Sequence, residues 1–109
     1  MTTLATTTAV TEKGEVAIPE PLSRALGWQL GEVLAVITGE LTADHVTLRA
    51  FRLLEEPDAG ASLVALTLLK GEGLVLLPEP VRRTLGVRRG VRVRVVEING
   101  GVRLSLVKR

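Results

Sequence analysis

The sequence predicts a mainly β protein built from two tandem copies of one unit, each with a single short helix. Residues 13–36 recur as residues 72–95, an offset of 59 with 10 of 24 positions identical. Hydrophobic residues make up 46% of the chain, yet only Trp28 and Phe51 are aromatic, so the core must consist of interlocking aliphatic side chains. A half of about 50 residues is marginal by itself, and the copies are therefore expected to share one interior.

The repeat boundaries define the expected domain organisation. We expect one pseudo-two-fold domain over residues 1–109, with repeat 1 at 1–54, a linker at 55–61 and repeat 2 at 62–109. The segment Glu55–Gly60 is acidic and rich in turn-forming residues, which is typical of a connection between structured units.

The first copy opens with two strands around a glycine turn. The Thr-rich segment Leu4–Thr11 has a composition that favours a strand. Lys13 and Gly14 turn the chain, because glycine accepts a positive φ without a steric penalty. A short strand, Val16–Ile18, follows and ends at Pro19.

A short helix is predicted after this strand. Proline is tolerated in a first helical turn, so Pro19–Pro21 can open the helix, and Glu20 lies near the positive end of its dipole. Gly27 ends it after about two turns. A helix this short is unstable alone and is expected to dock on the sheet. The docking side chains are predicted to be Leu22, Ala25 and Leu26.

A hairpin completes each copy. In the first, Glu32–Thr38 and His45–Arg52 are predicted strands joined by the loop Gly39–Asp44. In the second, Asn99 and Gly100 form a two-residue turn signal. The other predicted elements of the second copy are the strands Leu63–Leu69, Leu74–Leu77, Val91–Ile98 and Val102–Lys108 and a helix over Glu79–Leu85.

The first hairpin strand is apolar on both faces in the first copy, but apolar on only one face in the second copy. Valines alternate with Arg92 and Arg94, which predicts an apolar inner face and a basic outer face, and Arg103 extends the basic stripe on the partner strand. The first-copy strand is apolar throughout, which is typical of a strand buried on both sides. Either another part of this chain or a second copy in a homo-oligomer covers its outer side chains, which are Val33, Ala35 and Ile37.

Charge and composition restrict the function classes. Residues 1–55 carry four basic and seven acidic side chains, whereas residues 56–109 carry ten basic and five acidic ones, so the halves have net charges of −3 and +5. A basic half favours an anionic partner. The sequence lacks cysteine, a bilayer-spanning apolar stretch and a basic signal-peptide start. We expect a cytoplasmic protein without a membrane partner.

Catalytic and metal-binding patterns are absent from the sequence. His45 is the only histidine and is expected to be a surface residue. The glycines are not followed by the Lys-Ser/Thr of a phosphate-binding loop, and no nucleophile has an evident base. We expect no enzymatic activity, no metal and no cofactor.

The pattern Gly-x-Val-x-Ile-Pro, a short Arg-containing helix ending in Leu-Gly, then a glycine and an apolar strand, resembles the AbrB/MazE/SpoVT family of regulators. The resemblance covers about Val10–Arg49 and about Leu69–Lys108. It implies a swapped-hairpin β-barrel in which two halves interleave their hairpins, formed here within one chain as an intramolecular pseudo-dimer.

The resemblance also implies a DNA-binding transcriptional regulator that contacts duplex DNA through basic residues of the helices and nearby turns. The sequence departs from the family pattern at Glu15 and Leu74, where arginine is frequent, and Ser23 replaces a second helix arginine. Thr8 and Thr67 likewise stand where arginine is common. The expected DNA contacts are Lys13, Arg24, Lys70, Arg82, Arg83, Arg88 and Arg89, with the second copy dominant.

The alternative interpretation is a protein-interaction module, either antitoxin-like or self-assembling, with weakened or lost DNA binding. A toxin partner is less expected, because the sequence ends at the last predicted strand and offers no tail that would wrap a toxin. Self-assembly remains an alternative, because a second copy is one way to cover the apolar strand of the first copy.

Overall fold

The computed structural model describes residues 5–39, 45–53, 61–86, 88, 90–98 and 100–107. These residues form eight strands, two α-helices and two short 3₁₀ turns. The strands are β1 (Ala5–Ala9), β2 (Glu15–Ala17), β3 (Val33–Gly39), β4 (His45–Ala50), β5 (Ala61–Leu68), β6 (Leu74–Leu76), β7 (Arg92–Ile98) and β8 (Gly101–Leu106). The helices are α1 (Glu20–Leu26) and α2 (Glu79–Leu85), and the 3₁₀ turns are Phe51–Leu53 and Gly71–Gly73.

Six strands form one antiparallel sheet in the order β1-β7-β8-β4-β3-β5, and β2 and β6 form a separate two-stranded ribbon. Each half contributes its first strand to the hairpin of the other, because β1 pairs with β7 and β5 pairs with β3. Within the described residues β1 and β5 are the sheet edges, so strand pairing does not close the expected barrel. At each glycine turn the chain leaves the sheet, and the strand that follows, β2 or β6, belongs to the two-stranded ribbon.

The strand registers repeat between the halves. Thr8 pairs with Val93, and their equivalents 59 residues away, Thr67 and Leu34, pair in the same way. The correspondence ends at a bulge in β3, where the register with β5 shifts after Val36. The backbone pairing is therefore reciprocal over most of the two hairpins.

Two strand pairs join residues that are equivalents of each other. In the ribbon, Val16 lies opposite Val75. In the sheet, Thr47 lies opposite Arg103, which is its equivalent once the shorter second hairpin is allowed for. Together with the repeated registers, these pairings place the strands of the two halves in reciprocal positions.

The core lies between the sheet, the ribbon and the helices and draws on both halves. The inner positions of β7 and β8, Val93, Val95, Val102 and Leu104, are fully buried, as the alternating pattern predicts. Trp28 is also buried, at 6% exposure. The core side chains from the first half include Val16, Ile18, Leu22, Leu34, Val36, Val46 and Leu48.

One of the three side chains predicted to dock α1 on the sheet does not do so. Leu22 is buried and Leu26 is partly buried against the core, as expected. Ala25, however, is exposed, and the residue that turns inward is Ser23. The helix bounds themselves agree with the prediction, with Gly27 in the left-handed conformation at the end.

Strand bounds differ from the predicted ones by one to a few residues, and neither of the two 3₁₀ turns was predicted. The strand predicted over His45–Arg52 ends at Ala50, where the chain enters the 3₁₀ turn Phe51–Leu53. The predicted hairpin residue Asn99 lies outside the described residues, but Ile98 and Gly101 on either side of the turn are paired.

The outer face of β3 is only partly covered by its own chain. Val33 is 37% exposed and Ile37 is half-buried. Ala35 is fully buried, because its small side chain lies between the longer residues paired with it, Arg49 and Leu66. Of the two predicted alternatives, Ala35 therefore follows the first: its own chain covers it, and it offers no free surface to a second copy.

Candidate nucleic-acid interface

Each short helix lies beside the glycine turn of the other half. The backbone connects the halves reciprocally: the Leu77 N–H donates to the Gly14 carbonyl at 3.1 Å, and the Ile18 N–H donates to the Gly73 carbonyl at 2.8 Å. The helix α1 contacts the 3₁₀ turn Gly71–Gly73. Basic side chains that are far apart in the sequence are thereby brought together in two related places.

We define the basic cap as the turn 11–14 with α2, and the acidic cap as the turn 70–73 with α1 and the side chain of Glu15. The basic cap carries three basic residues and two acidic ones, whereas the acidic cap carries two basic residues and three acidic ones. The basic cap thus contains Lys13, Arg82 and Arg83, and the acidic cap contains Arg24 and Lys70.

Lys13 is presented by a tight turn. The Gly14 N–H donates to the Thr11 carbonyl at 2.9 Å, and the Glu15 N–H donates to the Thr11 hydroxyl at 3.0 Å. Gly14 has a φ of 82°, a conformation that closes the turn and that other residues rarely adopt. The Lys13 side chain is consequently exposed on a short, well-bonded loop.

Arg82 is held against the turn instead of extending freely into solvent. A Cβ atom placed on Gly14 would lie 2.6 Å from an Arg82 guanidinium nitrogen and 2.8 Å from its Cδ, so the arginine occupies the space that the glycine leaves. The Arg82 Nε is buried and has no hydrogen-bond partner within the described part of the chain. Arg82 therefore packs as well as carrying charge, which the sequence pattern did not reveal.

Arg83 and Arg24 occupy equivalent, exposed helix positions. Arg83 donates to Glu79 at 2.6 Å, and Arg24 forms the same pair with Glu20. Both arginine side chains are more than three-quarters exposed. Such i,i+4 pairs are worth about 0.2–0.5 kcal/mol, so a phosphate oxygen can replace the glutamate at small cost.

Lys70 forms an ion pair across the halves with Glu15. The Glu15 side chain is only 8% exposed, whereas the Lys70 side chain is half exposed. Glu15, which stands where the family resemblance implies a frequent arginine, is therefore paired and does not face solvent. The same contact neutralises Lys70, which weakens its case as a DNA contact.

The loop after α2 lies next to the basic cap. The Val91 N–H donates to the Arg88 carbonyl at 3.0 Å, and Val10, directly before the turn, donates to the Val91 carbonyl at 2.9 Å. The Arg88 side chain is exposed. Arg89 lies outside the described residues.

The basic stripe lies on the outer face of the sheet, away from the helices. Arg92 donates to the Thr7 hydroxyl of β1 at 2.8 Å, which ties it to the neighbouring strand. Arg94 and Arg103 are exposed, as the alternating pattern predicts. These arginines belong to a different surface from the basic cap.

Among the described residues, no group of three or more histidine, cysteine, aspartate or glutamate side chains could hold a metal ion. None of the helices in that part of the chain is long and apolar enough to cross a bilayer.

Comparison with known proteins gives a fold and no family. No family model matches the chain, and no curated protein matches it. A similar solved structure is the solution structure of PHS018 from Pyrococcus horikoshii, with 14% sequence identity and a TM-score of 0.53 over 96% of this chain and 95% of that one. At this identity the likeness concerns the fold alone.

Proposed function

We propose that this protein is a DNA-binding regulator of the AbrB type that acts in the cytoplasm and contacts duplex DNA mainly through its basic cap. The observation that carries the proposal is the packing of α2 on the glycine turn of the other half, because it gathers Lys13, Arg82 and Arg83 at one place. Clustered lysine and arginine side chains neutralise phosphates and supply most of the sequence-independent affinity for DNA.

In this proposal the fold is an intramolecular pseudo-dimer of swapped hairpins. The exchange of β1 and β5 between the halves and the repeated register support it. A dimeric DNA-binding protein presents two equal surfaces to two half-sites. Here the caps differ in charge, so the protein would favour an asymmetric site with the basic cap dominant.

Arg83 and Lys13 are the residues best suited to a test of DNA binding by the basic cap. Both are exposed, whereas replacing Arg82 would also remove packing against Gly14. We expect Arg83→Gln and Lys13→Gln each to weaken DNA binding and to reduce the salt slope of log K by about 0.9. Fluorescence anisotropy at several salt concentrations measures both quantities, with DNA selected from a random pool.

Two matched variants control this experiment. Arg24→Gln removes the equivalent arginine from the acidic cap and is expected to have a smaller effect than Arg83→Gln. Glu79→Gln removes the carboxylate that competes for Arg83, so it should strengthen binding. Unchanged affinity in both basic-cap variants, or a pool from which nothing is enriched, would contradict the proposal.

A second candidate function is self-assembly, which one observation favours. Leu66 and Leu68 on the edge strand β5 are about half exposed, and Leu68 lies opposite the exposed Val33. Adjacent apolar side chains on an unpaired edge are typical of a site that another chain covers. Light scattering that gives a dimeric mass for the protein, and a monomeric mass for Leu68→Lys, would support this function over DNA binding.

A further inference from the structure

The basic stripe is a row of three exposed arginines across the outer face of the sheet. Arg92 and Arg94 occupy alternate positions of β7, about 7 Å apart at the rise of an extended strand. Arg94 lies opposite Ser105, which is two residues beyond Arg103 on β8. Arg94 and Arg103 are therefore diagonal neighbours about 7–8 Å apart. The basic stripe spans roughly 15 Å in all.

The charge of the basic stripe is not offset by a carboxylate within the described part of the chain. Arg92 donates to the Thr7 hydroxyl at 2.8 Å, and this neutral partner leaves the positive charge intact. None of the described ion pairs includes an arginine of the stripe. Glu97, the one acidic residue of β7, follows the inward register of Val93 and Val95. Like charges at these separations repel one another, so all three arginines would attract an anion laid along the stripe.

The first half shows that the fold does not require these charges. At the three equivalent positions stand Val33, Ala35 and Thr47. The equivalent strands pair there with uncharged side chains. The arginines are therefore not needed for sheet pairing, and the basic stripe is a feature of the second half alone.

One end of the basic stripe lies toward the basic cap. The Val10 N–H donates to the carbonyl of Val91, the residue before Arg92, at 2.9 Å, and Val10 directly precedes the turn 11–14. The exposed Arg88 belongs to the loop between α2 and β7. Basic side chains therefore follow one another from the cap to the stripe.

The side chains around the basic stripe fit the backbone of a duplex. Thr7 and Ser105 lie opposite Arg94 on either side, and serine, threonine and arginine commonly bond to phosphate oxygens. The strands β1, β7 and β8 carry no aromatic side chain. Proteins that hold single strands stack the bases on aromatic side chains, so the composition of this face favours duplex DNA.

We propose that the basic stripe binds the phosphate backbone of duplex DNA independently of base sequence, as a second contact surface beside the basic cap. It deepens the function proposed for the cap by adding a surface that holds DNA without reading it. If each arginine of the stripe neutralises one phosphate, the stripe contributes about 2.7 to the salt slope of log K.

The test measures binding of a short random-sequence duplex by fluorescence anisotropy at several salt concentrations. Arg94→Gln with Arg103→Gln removes two exposed charges, so it should weaken binding about tenfold and lower the salt slope by about 1.8. Arg52→Gln is the matched control, since Arg52 is exposed, pairs with Glu32 and lies outside the stripe, and it should change neither quantity. Unchanged binding in the double variant, or an equal loss in Arg52→Gln, would overturn the proposal.

The double variant Lys13→Gln with Arg83→Gln separates the basic stripe from the basic cap. If the cap does not bind DNA, this variant binds as the parent does, while Arg94→Gln with Arg103→Gln still weakens binding. In the ¹⁵N-labelled cap variant, the duplex should still shift the amide signals of Arg94 and Arg103 in a saturable way. Absence of these shifts from both the parent and the cap variant would contradict the stripe as a contact surface.

Two other polyanions test the assignment to duplex DNA. Poly-L-glutamate and the separated DNA strand are flexible, and each loses more conformational freedom than a duplex when it lies along the basic stripe. At equal concentrations of negative charge, both should displace the bound duplex less effectively than unlabelled duplex does. Equal displacement by poly-L-glutamate would indicate an acidic protein segment as the partner, and tighter binding of the single strand would indicate a single-stranded nucleic acid. Either result would overturn the assignment.

Discussion

The basic cap and the acidic cap share main-chain hydrogen bonds but differ in turn conformation and in side-chain chemistry, since Glu72 has a φ of 65° and Lys13 has no positive φ. Their reciprocal hydrogen bonds, Leu77 to Gly14 and Ile18 to Gly73, are equivalent in the two halves. Six equivalent positions of the turns and helices differ, among them Arg82 against Ser23, Lys13 against Glu72 and Thr11 against Lys70. The comparison teaches that the two halves keep equivalent main-chain contacts while the exposed side chains of their caps diverge in charge.

The largest difference between the caps should appear when each turn glycine is replaced. In Gly73→Ala the new Cβ would overlap the carbonyl oxygen of Ile18, and the φ of 75° is unfavourable for alanine. A backbone atom cannot move aside easily, so we expect a loss of about 3 kcal/mol in the free energy of unfolding. Urea denaturation measures this loss.

Gly14→Ala is the matched variant in the basic cap. Its new Cβ would meet the flexible Arg82 side chain, which can move, so the remaining penalty is the left-handed φ. We expect a loss of about 1–2 kcal/mol. If Gly14→Ala lowers the free energy of unfolding as much as Gly73→Ala does, then the Arg82 side chain does not move aside and this explanation is wrong.

The next effect concerns the ion pair between Lys70 and Glu15, which only the acidic cap contains. Lys70→Thr leaves the buried Glu15 carboxylate without its partner. The expected loss is about 1–2 kcal/mol, below the 3–5 kcal/mol of a fully buried pair, because Lys70 is half exposed. Urea denaturation again provides the measurement.

The double variant Glu15→Leu with Lys70→Thr copies the residues at the equivalent positions of the other half, Leu74 and Thr11. It removes both charges together, so its stability should return close to that of the parent. A double variant as unstable as Lys70→Thr alone would show that the lost stability comes from packing and not from the unpaired charge.

The smallest effect is expected at the exposed helix pairs. Arg24→Ala and Arg83→Ala should each lower the free energy of unfolding by about 0.3–0.5 kcal/mol. The two losses should be equal, because the pairs have the same spacing and similar exposure. Both should vanish in 1 M salt, where the Debye length is about 3 Å. A large or salt-independent loss would indicate a structural role for these arginines.

Much of the element order followed from the sequence alone. The repeat placed the strands and helices because the same turn residues recur at fixed spacing, as at Gly27 and Gly86. The alternation of Val93 and Val95 with arginines correctly gave the inner and outer faces of β7. These features are local, so a single chain segment carries the signal.

The site was less predictable because its contacts join the two halves. Nothing near Glu15 in the sequence indicates that its partner is Lys70, and nothing near Arg82 indicates that it covers Gly14. The inward position of Ser23 in place of Ala25 depends on which face of α1 meets the turn of the other half. These residues meet only because the folded chain brings the turn of each half against the other half.

The exchange of first strands between the halves is the claim on which both caps depend, and nuclear Overhauser effects test it directly. In the dilute protein we predict Hα and amide contacts between Thr8 of β1 and Val93 of β7, with the reciprocal contacts between Thr67 and Leu34. Contacts of Thr8 with Leu34 of its own half would contradict the account, because each helix would then lie beside its own glycine turn.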